Sequence, residues 1–296
     1  MSTDVKILMV PLVLALLLIV GGPAGAAEDL LPEDLKMAQE FKAGFGPAVG
    51  YVQLVQGEVV VMHADRSIGY RAAKDMPLFK DDTIVTLDRG RIRIQLSDGS
   101  FVTLGSETKI VINQSVYDPQ KKRRTSFLSM AFGKARFLVQ KLVGFRRSEF
   151  KINSPTAVLG VRGSDFALHT SRLFTRVVAF ERTRLALIGR AAPHLKPTLL
   201  KDFERVEVMF GKPPSGVERL SPEQIKRIRR EFTFFPGVVG PAGKVIERRR
   251  GKGVKGGAPP AGKYTGFLVP QGVLVAPRDF LGFADPADLR LSLIHI

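Results

Sequence analysis

Of the 296 residues, none is cysteine and none is tryptophan. Without a thiol there is no cysteine nucleophile, no disulfide scaffold, no iron–sulfur cluster and no cysteine-ligated zinc. Histidine is scarce too. The four, at positions 63, 169, 194 and 295, show no spacing that sets two imidazoles on one helical face, so the sequence carries no metal-site signature. Gly160-x-x-Gly163-Ser164 has the outline of a phosphate loop, but neither a lysine nor a helical pattern follows, and it reads as a strand-joining turn. Glu149 and Asp165 make a carboxylate pair only if strand surfaces unite them, and nothing nearby marks a raised pKa. No catalytic constellation and no cofactor are expected.

Long apolar runs are also few. The one from Ile7 to Val20 is interrupted by Pro11 and falls short of the ~20 residues that a spanning helix needs. Lys6 precedes it and Ala24-Gly25-Ala26-Ala27 follows, the pattern of a secretory signal peptide over residues 1–26, cleaved after Ala26. The expected mature protein is periplasmic or secreted, with no transmembrane helix. At the other end, Leu291-Ser292-Leu293-Ile294-His295-Ile296 spells the translation of a transposon-end sequencing adapter. These six residues read as an artefact, and His295 takes no functional weight.

Acidic residues are the minority, 28 against 45 Lys and Arg, for a net charge of +17. The excess is local. Residues 121–153 hold ten basic groups and one acidic, and residues 221–265 eleven and three, whereas residues 51–120 hold eight and nine. A bias serving solubility alone would be spread evenly, so two concentrated blocks point to an anionic polymer or surface.

From Tyr51 the hydrophobic period is two. Val55, Gly57, Val59 and Val61 share one parity, and Ile92, Ile94 and Leu96 alternate with Arg91, Arg93 and Gln95, as half-buried strands require. Asp98-Gly99 predicts a type I′ hairpin turn, with Phe101 to Leu104 returning. Further β-rich runs cover 109–113, 125–132, 135–139, 149–153 and 176–180, with no amphipathic helix between them. The expected fold is mainly β, a roll, barrel or sandwich of short strands over residues 50–215. A short helical lead-in is expected within residues 27–49, where Leu35, Ala38 and Phe41 fall at helical spacing. A second helix is expected within 216–235, opened by the capping box Ser221-Pro222-Glu223-Gln224. Residues 236–265, with Arg248-Arg249-Arg250 and Gly256-Gly257-Ala258-Pro259-Pro260, read as a flexible basic linker, and 266–290 as an apolar tail.

Several motifs in order carry a family likeness: Gly50-x-Val52, Asp82-Thr83-Ile84-Val85-Thr86, Leu96-Ser97-Asp98-Gly99-Ser100, and Phe150-Lys151-Ile152-Asn153-Ser154-Pro155 leading to Val161-Arg162-Gly163-Ser164-Asp165-Phe166. Over about residues 50–170 the chain resembles the FecR domain. Ser154-Pro155 stands where the family usually has Thr-Pro, Gly163-Ser164 where it has Gly-Thr, and Asp81-Asp82 where it has Gly-Asp. The resemblance implies a transmembrane signal transducer whose cytoplasmic N-terminal segment grips a sigma factor. Only six residues precede the apolar run here, too few for that grip, so the implied type is the secreted FecR-domain protein of the cell envelope.

Within that reading the motif residues Asp98, Gly99, Pro155, Arg162, Gly163 and Asp165 are structural. Arg162 and Asp165 are expected to form a local ion pair or turn-stabilising bonds, with lining of a ligand groove as the alternative. The candidate anion- or partner-binding residues are Lys121, Lys122, Arg123 and Arg124, expected at a loop tip after Asp118-Pro119, and Arg146 and Arg147 after Gly144. If both connections emerge at one end, six cations converge on one patch; otherwise they are two solvated loops. The expected partner is an envelope protein or an anionic envelope polymer or lipid surface. Nucleic acid is the runner-up, and the signal peptide and the lack of aromatic residues among the basic runs argue against it.

Overall fold

In the computed structural model, which describes residues 30–235, the alternating runs become eighteen strands and one helix. The expected signal peptide, basic linker, apolar tail and terminal six residues lie outside the described residues. The first strands are β1 (Lys36–Ala38), β2 (Gly50–Gln56), β3 (Val59–Met62), β4 (Ile68–Arg71), β5 (Pro77–Leu78) and β6 (Thr83–Thr86). Then come β7 (Arg91–Leu96), β8 (Phe101–Leu104), β9 (Thr108–Asp118), β10 (Arg123–Val139), β11 (Arg147–Asn153) and β12 (Ala157–Val161). The last are β13 (Ser164–Thr170), β14 (Phe174–Ala179), β15 (Leu185–Gly189), β16 (Thr198–Leu200), β17 (Glu204–Met209) and β18 (Glu218–Arg219), followed by α1 (Pro222–Arg230).

Two sheets result, facing each other across one core. The first runs β1-β4-β3-β6-β9-β10-β11-β12-β15-β16. The second runs β5-β2-β7-β8-β10-β13-β14-β17-β18. Val61, Ile84, Ile110 and Leu159 from the first sheet and Val52, Ile92, Ile94 and Phe166 from the second join a single buried apolar cluster. Alternation therefore reports burial on one face, as along β7, where Ile92, Ile94 and Leu96 are buried between half-buried Arg91, Arg93 and Gln95.

Strand β10 belongs to both sheets. Its first half pairs with β9 and β11, and its second, from Gly133, with β8 and β13. Laid straight, 17 residues would span roughly 55 Å. Instead the ends of β10 return to one another: Arg124 Nη1 donates to the carbonyl of Gln140 at 2.8 Å. The bend falls at Gly133, whose φ is +101° and where a Cβ would stand 2.5 Å from Thr108 Cα. Register shifts between Phe127 and Ser129 and between Met130 and Phe132 add the local twist that bulges supply. From local pattern alone this one strand reads as two runs, 125–132 and 135–139.

Two local expectations are corrected. The N-terminal lead-in is not helical: Lys36–Ala38 forms β1 and pairs in parallel with β4. Its apolar residues serve separate neighbours, Leu35 packing with Val60, Met62 and Val85, Ala38 against the main core, and Phe41 against His63 and Tyr70. A helix would set all three on one stripe. The turn at Asp98-Gly99 is also not type I′, which needs positive φ at both central residues. Gly99 N–H donates to the Leu96 carbonyl at 2.9 Å, and of the four residues, 97–100, that connect β7 to β8 only Gly99, at φ +79°, is left-handed. The expected capping box at α1 is present, and Ile225, Ile228 and Phe232 pack on Ala167 and Val178 of the second sheet and on Phe180 just after β14.

Candidate anion-binding tip

Asp118-Pro119 ends β9 and starts a tight connection. The Asp118 carboxylate accepts the Lys121 N–H at 2.9 Å, and this backbone donor holds the carboxyl below its ordinary range. Lys122 then takes a left-handed conformation at φ +49° and β10 begins. Because β11 lies parallel to β10 with Arg123 opposite Arg147, the next connection must arrive at the same end. The Lys122 carbonyl accepts the N–H of Arg146 at 3.0 Å and of Arg147 at 3.4 Å. Two basic runs distant in sequence thereby share one tip, with Lys121, Lys122, Arg123, Arg146 and Arg147 all exposed.

Only two of these five are answered by local carboxylates. Lys121 Nζ lies 3.6 Å from Asp118, and Arg147 Nε lies 2.9 Å from Glu149. Among the described residues no ion pair engages Lys122, Arg123 or Arg146. The tip thus carries uncompensated positive charge toward solvent.

Arg124 does not belong to this set. Successive side chains on a strand point to opposite faces, so where Arg123 meets water Arg124 turns inward. It is fully buried, donates from Nη1 to Asp98 Oδ2 at 3.0 Å and to the Gln140 carbonyl, and lies over the Phe150 ring at 5.5 Å. Burial lowers its pKa, and the Asp98 charge opposes that shift. An external anion cannot reach it. Asp98 in turn accepts the N–H and the hydroxyl of Ser100, both at 2.9 Å, so one carboxylate ties the β7–β8 turn to the start of β10.

The other motif residues lie at strand connections and on the outer face of the second sheet. Pro155 sits in the β11–β12 turn, where Ser154 N–H and Oγ both donate to the Ala157 carbonyl at 2.9 Å. Gly163, at φ +75°, carries the chain from β12 in one sheet to β13 in the other, and a Cβ there would come within 2.5 Å of Lys141 Cβ. The expected Arg162–Asp165 pairing does not form. Asp165 is held instead by Arg136, Nε to Oδ1 at 2.9 Å and Nη2 to Oδ2 at 2.7 Å. Arg136 and Asp165 are diagonal neighbours on the outer face of adjacent strands, since Arg136 is opposite Ala167. Arg162 stays exposed in the turn. Glu149 serves Arg147, so the two carboxylates considered from sequence do not meet.

Two features escaped sequence reading. At the tip, Phe145 stacks on Tyr117 with ring centroids 5.8 Å apart and planes 9° from parallel, placing aromatic surface beside the cations. Elsewhere, His63 Nδ1 lies 2.7 Å from Asp82 Oδ1 and Nε2 lies 2.8 Å from the Lys42 carbonyl, with Phe41, Tyr70 and Phe79 around the ring. Burial disfavours the imidazolium, but the hydrogen bonds to Asp82 and Lys42 outweigh it and raise the pKa above 6.5. Burial likewise raises the Asp82 carboxyl, against the bonds from His63 and the Phe79 amide. The pair clips the N-terminal segment to the first sheet. Among the described residues no group of acidic and histidine side chains is arranged to hold a metal, and no helix is long and apolar enough to cross a membrane.

Among solved structures, two crystal structures of a "putative anti-sigma factor from Parabacteroides distasonis ATCC 8503" are each 16% identical to the chain with a TM-score of 0.39. Each match covers 49% of this chain and 62% of the other, so the chain spans less than two thirds of their length. A "Cell surface anchoring domain" is 25% identical at a TM-score of 0.21, covering 22% of this chain and 83% of that one. No curated protein matches the chain. A family model described as FecR protein matches residues 82–181, which take in the Asp98 turn, all of β10, both basic connections and the Arg136–Asp165 pair. Over residues 82–181, about a third of the chain, the sequence matches the FecR family.

Proposed function

We propose that this FecR-domain protein is a non-catalytic binding module that acts outside the cytoplasm and docks through its basic tip on a phosphate-bearing anionic surface of the cell envelope. The observation that carries the reading is the double acceptance by the Lys122 carbonyl of the Arg146 and Arg147 amides, which unites two basic connections. Near an anionic membrane each basic residue contributes about 1 kcal/mol of attraction, screened within a Debye length. Five exposed cations on one tip, three of them without an ion pair among the described residues, are therefore enough for salt-sensitive recruitment without a pocket.

The test replaces Lys121, Lys122, Arg123 and Arg146 by Ser in the full-length protein. Sedimentation is compared with phosphatidylglycerol-containing and pure phosphatidylcholine vesicles, at low and high salt. The anion-dependent part of binding is expected to weaken by about fivefold per charge removed, the equivalent of about 1 kcal/mol each. Unchanged anion-dependent binding would dismiss the tip and direct attention to Arg248-Arg249-Arg250.

A further inference from the structure

The tip offers more than charge. Val143 and Gly144 form the turn at the apex of the β10–β11 connection, and Val143 is 82% exposed. Gly144 has φ +76° with no atom within 4 Å of where a Cβ would stand, so this side of the turn faces open space. Next in the chain is Phe145, stacked on Tyr117, then the exposed Arg146 and Arg147, whose amides tie this connection to exposed Lys121, Lys122 and Arg123 through the Lys122 carbonyl. A single exposed valine needs no explanation. An apolar apex next in the chain to an aromatic stack, on a connection hydrogen-bonded to a second basic one, is different. It matches the layering of a bilayer surface, with acyl boundary inside and phosphate headgroups at the rim. A soluble polyanion offers the phosphates but nothing for the valine.

We infer that the tip inserts Val143 into the interface of an anionic lipid bilayer while its cations engage the headgroup phosphates. This rests on the anionic-surface reading above and adds the occupant, lipid. The absence of tryptophan supplies the test, because Val143→Trp becomes the sole indole in the chain. Val143 lies outside the core, so the substitution leaves the packing of the sheets alone.

Full-length Val143→Trp is titrated with phosphatidylglycerol-containing vesicles, with pure phosphatidylcholine vesicles and with polyphosphate. Emission is expected to move to the blue, and to be quenched by brominated lipid, with the anionic vesicles only. Leu173→Trp is the control. Leu173 is 65% exposed in the β13–β14 turn, at the end of β13 that pairs with Gly133 rather than Val139, and its emission is expected to stay unchanged. Val143→Ser is expected to weaken binding to anionic vesicles by up to about tenfold, the scale of one valine leaving an apolar environment. Sedimentation with anionic vesicles but no shift at position 143 overturns insertion and leaves the charged tip standing. Equal shifts at 143 and 173, or with polyphosphate, also overturn insertion. Failure to sediment with anionic vesicles overturns both readings.

Discussion

Arg124 Nη1 and Asp98 Oδ2 lie 3.0 Å apart with both side chains wholly shielded from solvent, and through them the start of β10 is bound to the β7–β8 turn. The same guanidinium reaches the Gln140 carbonyl, where β10 has just ended. One buried ion pair therefore closes the loop that β10 makes between the two sheets. It also sets the platform from which both basic connections emerge.

Removing one member leaves the other charge buried and unanswered. Arg124→Met and Asp98→Asn are each expected to lower the free energy of urea unfolding by about 3–5 kcal/mol. The double variant should lose less than the sum, since the orphaned charge is gone. A single-variant loss below about 1 kcal/mol would contradict the assigned role.

Gly133 and Gly144 both have positive φ, but only Gly133 is crowded, 2.5 Å from Thr108 Cα where its Cβ would be. Alanine at either position carries roughly 1–2 kcal/mol of backbone strain. At Gly133 it must also force two strands apart at the bend of β10. Thermal denaturation should show a modest shift for Gly144→Ala and a far larger loss, or no cooperative transition, for Gly133→Ala. Equal shifts would mean that the bend is not where the strain is held.

Both ring nitrogens of His63 face acceptors, Asp82 Oδ1 and the Lys42 carbonyl, so the arrangement is complete only while the His–Asp pair holds two protons. His63 is expected to titrate above 6.5 and His169 below it. For His169 the causes are burial, then the charges of Lys134 and Arg176. The contribution of His63 to stability is complete below pH 6.5 and is lost as pH rises through its folded pKa. His169 runs the other way, favouring the fold while neutral and opposing it as pH falls below 6.5. Imidazole titration by NMR reads both midpoints. His63→Asn should remove the decline in stability above pH 6.5, and a His63 midpoint at or below 6.5 would contradict the clip.

Much of the fold is legible in local pattern. The period of two along Arg91–Leu96 reports a half-buried strand, and Ser221 and Gln224 report the helix start, because each signal is complete within a few residues. The two basic runs are equally visible. Whether they converge depends on β11 lying parallel to β10, a non-local pairing with no local signature. The inward turn of Arg124 follows strand alternation once β10 is known to start at Arg123, but the Lys121–Arg124 run invites reading all four as loop. Asp165 finds Arg136 rather than Arg162, and Asp82 finds His63, across 29 and 19 residues, so sheet register chose those partners and not sequence proximity. The N-terminal segment shows the opposite error. Helical spacing of Leu35, Ala38 and Phe41 was coincidental, and the open edge of β4 captured the chain as a strand.

Amide hydrogen exchange on the full-length protein, alone and with phosphatidylglycerol vesicles, tests the central claim most directly. The account predicts added protection in residues 120–123 and 141–147 together, abolished at high salt, with the outer faces of both sheets unchanged. Protection confined to one connection, or centred on another surface while the tip stays open, would contradict it.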